Sequence, residues 1–400
     1  MAGLNQCNHD KCNGHSSRIQ DGVEAPLGAR WLVLIGSALG HVPFCRPWDP
    51  DPPKFTWLSV KALYSVTLDV LLTVVAIVEL VELLISTSKY KTGQWIVHVW
   101  PEMVLQMTHV CLVIASLPEA ARLAKLLRKI NRLHHPCGPW VSFITFFLWI
   151  FNAVVTVVRV VYSFQHRGKG IFVSVKGFIY FCSSIYSRIY MTWPAAFIMQ
   201  VCLSVRSCLK SSRELVQELA NTSAGEKVDC VHLEDVRLWH RHQAEYNHTL
   251  VEIASPVILV MAADFFFSFP PHLYYYITHM LLGGELASGN AYAIAELLYL
   301  LSLLGLLVAL VLVISSVVDE YNGIKSNLLT FPTYGVPRLA TDQLMAFDSQ
   351  IRFHDPAYTA MGFFKVTKHN LLKLTCAIAV YMIILVPFHE REISTEYSSH

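Results

Sequence analysis

The chain has 400 residues, of which 54% are hydrophobic and only 15% charged, with a mean hydropathy of +0.43. Soluble domains carry about 25% charged residues. The composition therefore excludes a disordered chain, a disulfide mini-scaffold and nearly all soluble enzymes of this length. The 31 basic and 29 acidic residues leave a net charge of +2, too close to neutral for a nucleic-acid-binding surface. What remains is an all-α, polytopic membrane protein.

Residues 1–30 are polar and lack the apolar core of a secretory signal, so the first span is expected to act as its own insertion signal. This stretch contains Cys7, His9, Cys12 and His15. The residue types suit zinc, but the spacing fits no common finger, and a polar terminal tail is expected. No metal or cofactor is expected anywhere in the chain. Residues 31–45 (WLVLIGSALGHVPFC) are apolar but short, and Gly36, Gly40 and Pro43 interrupt them. They read as an interfacial or re-entrant helix.

A transmembrane helix needs about 20 mostly apolar residues. Seven segments qualify: 60–86, 98–118, 141–163, 177–205, 252–282, 291–318 and 369–388. The prolines 270 and 271 are expected to break the fifth. Between the fourth and fifth, Leu209, Leu215, Leu219, Val236 and Trp239 keep helical spacing. Two helix extensions joined by a turn near Asn221–Gly225 are predicted there.

The Lys and Arg distribution sets an orientation. With the N-terminus inside, segments 1–59, 119–140, 206–250 and 319–368 hold 5, 5, 6 and 5 of them. The opposite segments 87–97, 164–176, 283–290 and 389–400 hold 2, 3, 0 and 1. A cytosolic N-terminus is predicted, opposite to that of a G-protein-coupled receptor. The sequons at Asn221 and Asn247 would then face the cytosol and carry no sugar. An Asp/Glu-Arg-Tyr triplet is also missing at the end of the third span, and no catalytic motif is present. An enzyme is not expected. The five regions of this reading are a cytosolic segment (1–59), spans one to six (60–318), a cytosolic loop or anchor region (319–368), the last span (369–388) and an extracellular tail (389–400).

Ionisable groups inside a membrane are functional candidates by default. Arg159, Arg188, Asp264 and Glu296 fall in spans three to six, with opposite charges at similar depth. They suit either a ligand pocket or a structural ion pair. Glu79 and Glu82 lie three apart on one face of the first span. Aromatic residues crowd the same region: Tyr186, Tyr190 and Trp193 on span four, and Phe265–Phe267 and Tyr274–Tyr276 on span five. Tyr186, Trp193 and Phe267 are assigned with Arg188, Asp264 and Glu296 to a small-molecule pocket. Tyr274–Tyr276 are assigned to an interfacial belt. His240 and His242 are read as part of a solvated helix face.

Residues 353–388 (FHDPAYTAMGFFKVTKHNLLKLTCAIAVYMIILVPF) carry the most specific pattern. They resemble the C-terminal signature of insect gustatory receptors, in which a Gly-Phe-Phe stretch leads into a last span bearing Thr-Tyr…Gln-Phe. Gly362, Phe363, Phe364, Tyr381 and Phe388 match; Val380 stands in place of the Thr and Pro387 in place of the Gln. The segment LGHVPF (39–44) is also similar to the family's Gly…Pro-Phe stretch.

The resemblance implies a seven-transmembrane subunit of a tetrameric, ligand-gated cation channel, homomeric or built with other gustatory receptor subunits. It would sit among the lipids of the plasma membrane of a sensory neuron dendrite and respond to a small-molecule tastant. The last span would line the pore, with Phe388 as the constriction, Leu385 and Ile384 on adjacent turns and Tyr381 supporting the helix. An apolar ring of this kind gates by dewetting. On residues alone, the same face equally suits lipid or core packing. A G-protein-coupled receptor is the alternative.

Overall fold

The computed structural model describes residues 27–39, 60–86, 99–116, 122–123, 126, 139–166, 175–223, 230–281, 286–331, 338–354 and 356–398. Within them lie the helices α1 (Leu27–Ala38), α2 (Val60–Ser86), α3 (Trp100–Ser116), α4 (Pro139–His166), α5 (Val175–Ser223), α6 (Cys230–Leu281), α7 (Leu286–Leu328), α8 (Arg338–Phe353) and α9 (Lys368–Ser398). Each predicted span corresponds to one helix. By length and composition, stretches of α2, α4, α6 and α7 are able to cross a membrane, and α3 is a shorter apolar helix. The N-terminal tail, including Cys7, His9, Cys12 and His15, lies outside the described residues.

Helix α5 is the axis of the fold. Its residues 190–203 are buried without interruption, as expected for a helix that is apolar on all sides. Helices α4, α6 and α7 pack around it. The outer helices show the reverse pattern. Val70, Val74, Ile77, Val78 and Val81 of α2 are exposed, as are Phe143, Phe147, Phe151, Val154 and Val158 of α4. Their three-to-four-residue spacing makes one continuous apolar face on each helix, the face a membrane solvates.

The 49 residues of α5 and 52 of α6 correspond to about 75 Å of helix each, against about 30 Å of hydrocarbon. Roughly half of each helix therefore projects beyond the membrane, as the two predicted extensions require. Ser212 Oγ donates to Gln243 Oε1 at 2.9 Å across this projecting pair. Arg213 reaches Glu320 of α7 at 2.9 Å, and α8 closes on α6 through Arg237 and Gln350 at 3.3 Å. His240, predicted on a solvated face, is fully buried between Tyr321 and Phe347, whereas His242 is exposed. The docking of α8, invisible to local periodicity, makes that difference. Asn247 of the second sequon is also buried and accepts a 2.7 Å bond from Tyr358 Oη, a geometry closed to glycosylation.

The expected break at Pro270–Pro271 does not occur, and α6 runs through both. Pro271 cannot donate to the carbonyl of Phe267, four residues back. Trp100 Nε1 of α3 donates to that carbonyl instead, at 3.2 Å. A neighbouring side chain that replaces the missing donor lets a membrane helix tolerate proline. Helix α9 likewise continues beyond Pro387 to Ser398.

Candidate functional site

One end of the bundle collects the buried charge. It is formed by the start of α3, the end of α4, the first third of α5, the end of α6 and the start of α7. Arg159 of α4 donates through Nε to Glu296 Oε2 of α7 at 2.6 Å, and both side chains are almost completely buried. His272 of α6 places Nδ1 2.8 Å from the other oxygen of Glu296. The Arg159 guanidinium lies 4.5 Å from the centre of the Tyr299 ring. Arg188 of α5 donates to Tyr299 Oη at 2.9 Å and pairs with Glu102 of α3 at 2.7 Å. Tyr299 thus stands between two arginines, with a cation–π contact to one and a hydrogen bond to the other.

Asp264 of α6 does not bond Arg188. It accepts from Thr108 Oγ1 at 3.3 Å and from Ser268 Oγ at 3.2 Å. A half-buried carboxylate held by hydroxyls rather than by a cation keeps capacity for another donor.

A second layer adjoins the first through consecutive residues of α5. Ser187 Oγ lies 2.8 Å from His109 Nδ1. The His109 ring stacks on Tyr190 at 4.8 Å, and Tyr186 stands 5.6 Å from Tyr190. Gln106 Nε2 donates to Glu79 Oε2 at 2.6 Å, and Tyr180 Oη donates to Glu82 Oε2 at 2.6 Å. The two acids of the first span are therefore engaged inside the bundle.

Among the described residues, the buried atoms Arg188 Nε, His109 Nε2 and Gln106 Oε1 in these layers have no hydrogen-bond partner. Each such atom costs about 1–3 kcal/mol when left unbonded. Donors and acceptors among stacked aromatic rings match the chemistry of a hydrogen-bonding organic molecule. Among the described residues, no cluster of three or more metal-ligating side chains occurs.

The other predicted pocket residues are more dispersed. Trp193 is buried one turn beyond this layer, where its indole donates to the Leu32 carbonyl of α1 at 3.0 Å and stacks on Phe197. Tyr186 Oη donates to the Leu39 carbonyl at 2.6 Å. Phe267 is 45% exposed and meets Trp100 edge-on. Tyr274, expected in an interfacial belt, is buried with Phe265, Ile378 and Met382. Sequence reasoning missed Glu102, His272, Tyr299 and His109. The Pro-Glu step at 101–102 was the one local signal for Glu102, a carboxylate in the first turn of an apolar helix.

On α9, Val380, Tyr381, Ile383 and Ile384 are exposed while Ile378 and Met382 pack inward. The side chains of Leu385 and Phe388 lie outside the described residues.

These features define a polytopic helical membrane protein with a buried polar site at one end of its bundle. The sequence model of the family described as 7tm chemosensory receptor matches residues 29–392, and the chain belongs to that family. No curated protein sequence matches the chain. The fold is similar to that of the insect olfactory receptor OR5 from Machilis hrabei in complex with eugenol. The TM-score is 0.69 at 12% identity, over 90% of this chain and 97% of that one. A second structure of the insect olfactory receptor OR5 from Machilis hrabei is similar at a TM-score of 0.67 and 12% identity, over 95% and 99% of the two chains.

Proposed function

We propose that this chemosensory receptor is a gustatory-type subunit of a tetrameric, ligand-gated cation channel of the plasma membrane, with its N-terminus in the cytosol. The ligand is a small, hydrogen-bonding tastant that binds among α2, α3, α5, α6 and α7 in the outer half. The observation that carries this reading is the cluster of unbonded buried polar atoms beside His109, Tyr190 and Arg188. Such atoms are costly in a resting bundle and become satisfied when a polar molecule enters. The solved fold with eugenol supports the same class of function.

The exposed apolar face of α9 supports a pore role for this helix. In a tetramer, four copies of that face surround an axis, and Phe388, Leu385 and Ile384 form the constriction, with Tyr381 two turns below Phe388. Ligand binding shifts the population toward an open state by its differential affinity for that state. Arg188, Asp264 and Glu296 orient the ligand, and Tyr186, Trp193 and Phe267 shape the wall.

Two measurements test the reading. An N-terminal epitope tag should stain only permeabilised cells. In patch-clamp recording with a tastant panel, His109→Ala and Asp264→Asn should shift the half-activating concentration at unchanged surface expression, and Phe388→Ala should raise resting current. Staining of intact cells would overturn the topology and make G-protein coupling the next assay. Variants that lose surface protein and current in parallel would make the polar layer structural.

A further inference from the structure

A cavity of about 470 Å³ lies on the flank of the bundle between α6, α7 and α9. Of the residues assigned to the tastant site, it is lined by Phe267 alone, and none of the buried charged groups described above lines it. Its body is apolar, lined by Met261 and Phe266 of α6, Leu307 and Leu310 of α7, and Leu374 and Ala377 of α9. Its volume falls in the range of small-molecule sites, about 300–1,000 Å³. Its polar lining is confined to Lys365, Thr367, Asn370 and Lys373, at the start of α9 and in the segment just before it.

The segment at that end carries charge of one sign. Residues 365–373 read KVTKHNLLK, three lysines and a histidine with no acid between them. Lys368 meets Asp319 at 3.8 Å with both side chains more than 60% exposed, a pair of little net strength. Lys373 is exposed and forms no ion pair among the described residues, although it stands about one and a half turns inside α9. A lysine there extends its apolar stem along the cavity and its ammonium toward the interface.

The backbone presents these groups by a tight hairpin. Thr359 and Lys365 form an isolated antiparallel bridge. Met361 and Gly362 turn the chain with φ of 49° and 81°, the region glycine adopts without strain. The Met361 amide donates to Ser255 Oγ of α6 at 2.6 Å. The turn leaves Phe363 78% exposed beside Lys365, an aromatic at the level where aromatic rings and cations meet lipid headgroups.

We propose that this cavity binds an anionic phospholipid, with one acyl chain filling the apolar chamber and the phosphate held by Lys365 and Lys373. The chemistry favours a lipid over a soluble ligand because the apolar body and the cationic mouth are segregated, as the two parts of a lipid are. The occupant would lie between α9 and the bundle and so set the spacing of the last helix. The inference rests on the membrane placement of the chain and not on the tastant site.

The test uses the full chain in nanodiscs of phosphatidylcholine alone or mixed with phosphatidylserine, each spiked with the matching lipid carrying a photoreactive diazirine in its acyl chain. Phosphatidylserine should label peptides spanning 258–266 and 371–377, and phosphatidylcholine should label them weakly. The double variant Lys365→Gln/Lys373→Gln should weaken phosphatidylserine labelling there about thirtyfold, since each lysine near an anionic surface contributes a nearly equal share. Labelling of the exposed α2 face should not change. Leu374→Trp, which fills the chamber and leaves the charge intact, should also abolish labelling, and Lys365→Arg/Lys373→Arg should retain it. This last pair keeps the test valid if the Gln variant folds poorly. Equal labelling by the two lipids, labelling unaffected by Leu374→Trp, or crosslinks to a second copy of the chain in place of lipid would each overturn the proposal.

Discussion

Removing one member of the Arg159–Glu296 pair should harm the protein far more than removing both. Glu296 is completely buried, Arg159 is 4% exposed, and the Nε–Oε2 distance is 2.6 Å. Replacing Glu296 by Leu leaves a buried guanidinium with Tyr299 and His272 as its remaining neighbours. Breaking a buried pair in this way costs about 3–5 kcal/mol, whereas replacing both partners by apolar residues is often neutral. Arg159→Met combined with Glu296→Leu should therefore recover most of the loss. For a chain of this length, about 4 kcal/mol corresponds to a midpoint shift of roughly 5 °C on globular-protein scaling. Thermal unfolding of detergent-solubilised protein, followed by size-exclusion chromatography, measures all four corners of the double-mutant cycle. A double variant no more stable than Glu296→Leu alone would refute the reasoning. So would additive losses, because residues in contact should couple. Ligand-evoked current in the double variant adds a second reading. Restored folding with lost tastant response would place the pair in ligand binding.

Gly36→Ala should destabilise the docking of α1, because the added Cβ would fall 2.1 Å from Trp193 Cζ2. The indole must then shift and weaken its 3.0 Å bond to Leu32, at a cost of about 1–3 kcal/mol; near-wild-type thermal stability would contradict the packing. Trp100→Phe removes the donor to the Phe267 carbonyl and should cost about 1 kcal/mol. Adding Pro271→Ala restores a backbone donor and should recover that loss in the same assay. His240 lies in a stretch of α6 bearing Glu234, Asp235, Arg237, Arg241 and Glu245, outside the apolar span. Burial, with His354 adding to it, pushes its pKa down from 6.5 to about 4. The unfolded chain therefore takes up a proton that the folded chain refuses. His240 contributes no penalty above about pH 6.5, and stability falls by up to about 3 kcal/mol as the pH drops toward 4. His240→Phe should flatten that part of the pH profile of thermal unfolding, and an unchanged slope would count against it.

The spans were legible in the sequence because the constraint that makes them is local. A helix in hydrocarbon satisfies its own backbone and needs only length and apolarity. The predicted 60–86 coincides with α2, and the extension pair after Val205 appears as the long ends of α5 and α6. The candidate site was legible only in part. Arg188 and Glu296 stood out as ionisable residues in apolar runs, but their partners did not. Arg188 meets Glu102 from 86 positions away, and Arg159 meets Glu296 from 137. Distances of that kind depend on the rotation of each helix about its axis, which side-chain packing decides.

By itself, then, the sequence determined the helical class, the number and position of the spans and the charge bias between their two ends. Each follows from the transfer of a short segment into lipid. Tertiary structure alone decided that α6 continues through two prolines, that Tyr274 and His240 are interior, and that Trp193 clamps α1. In each case the deciding group comes from another helix. Trp100 replaces an amide that Pro271 lacks, α8 covers His240, and α9 covers Tyr274. No pattern within the segment itself records that a neighbour will arrive.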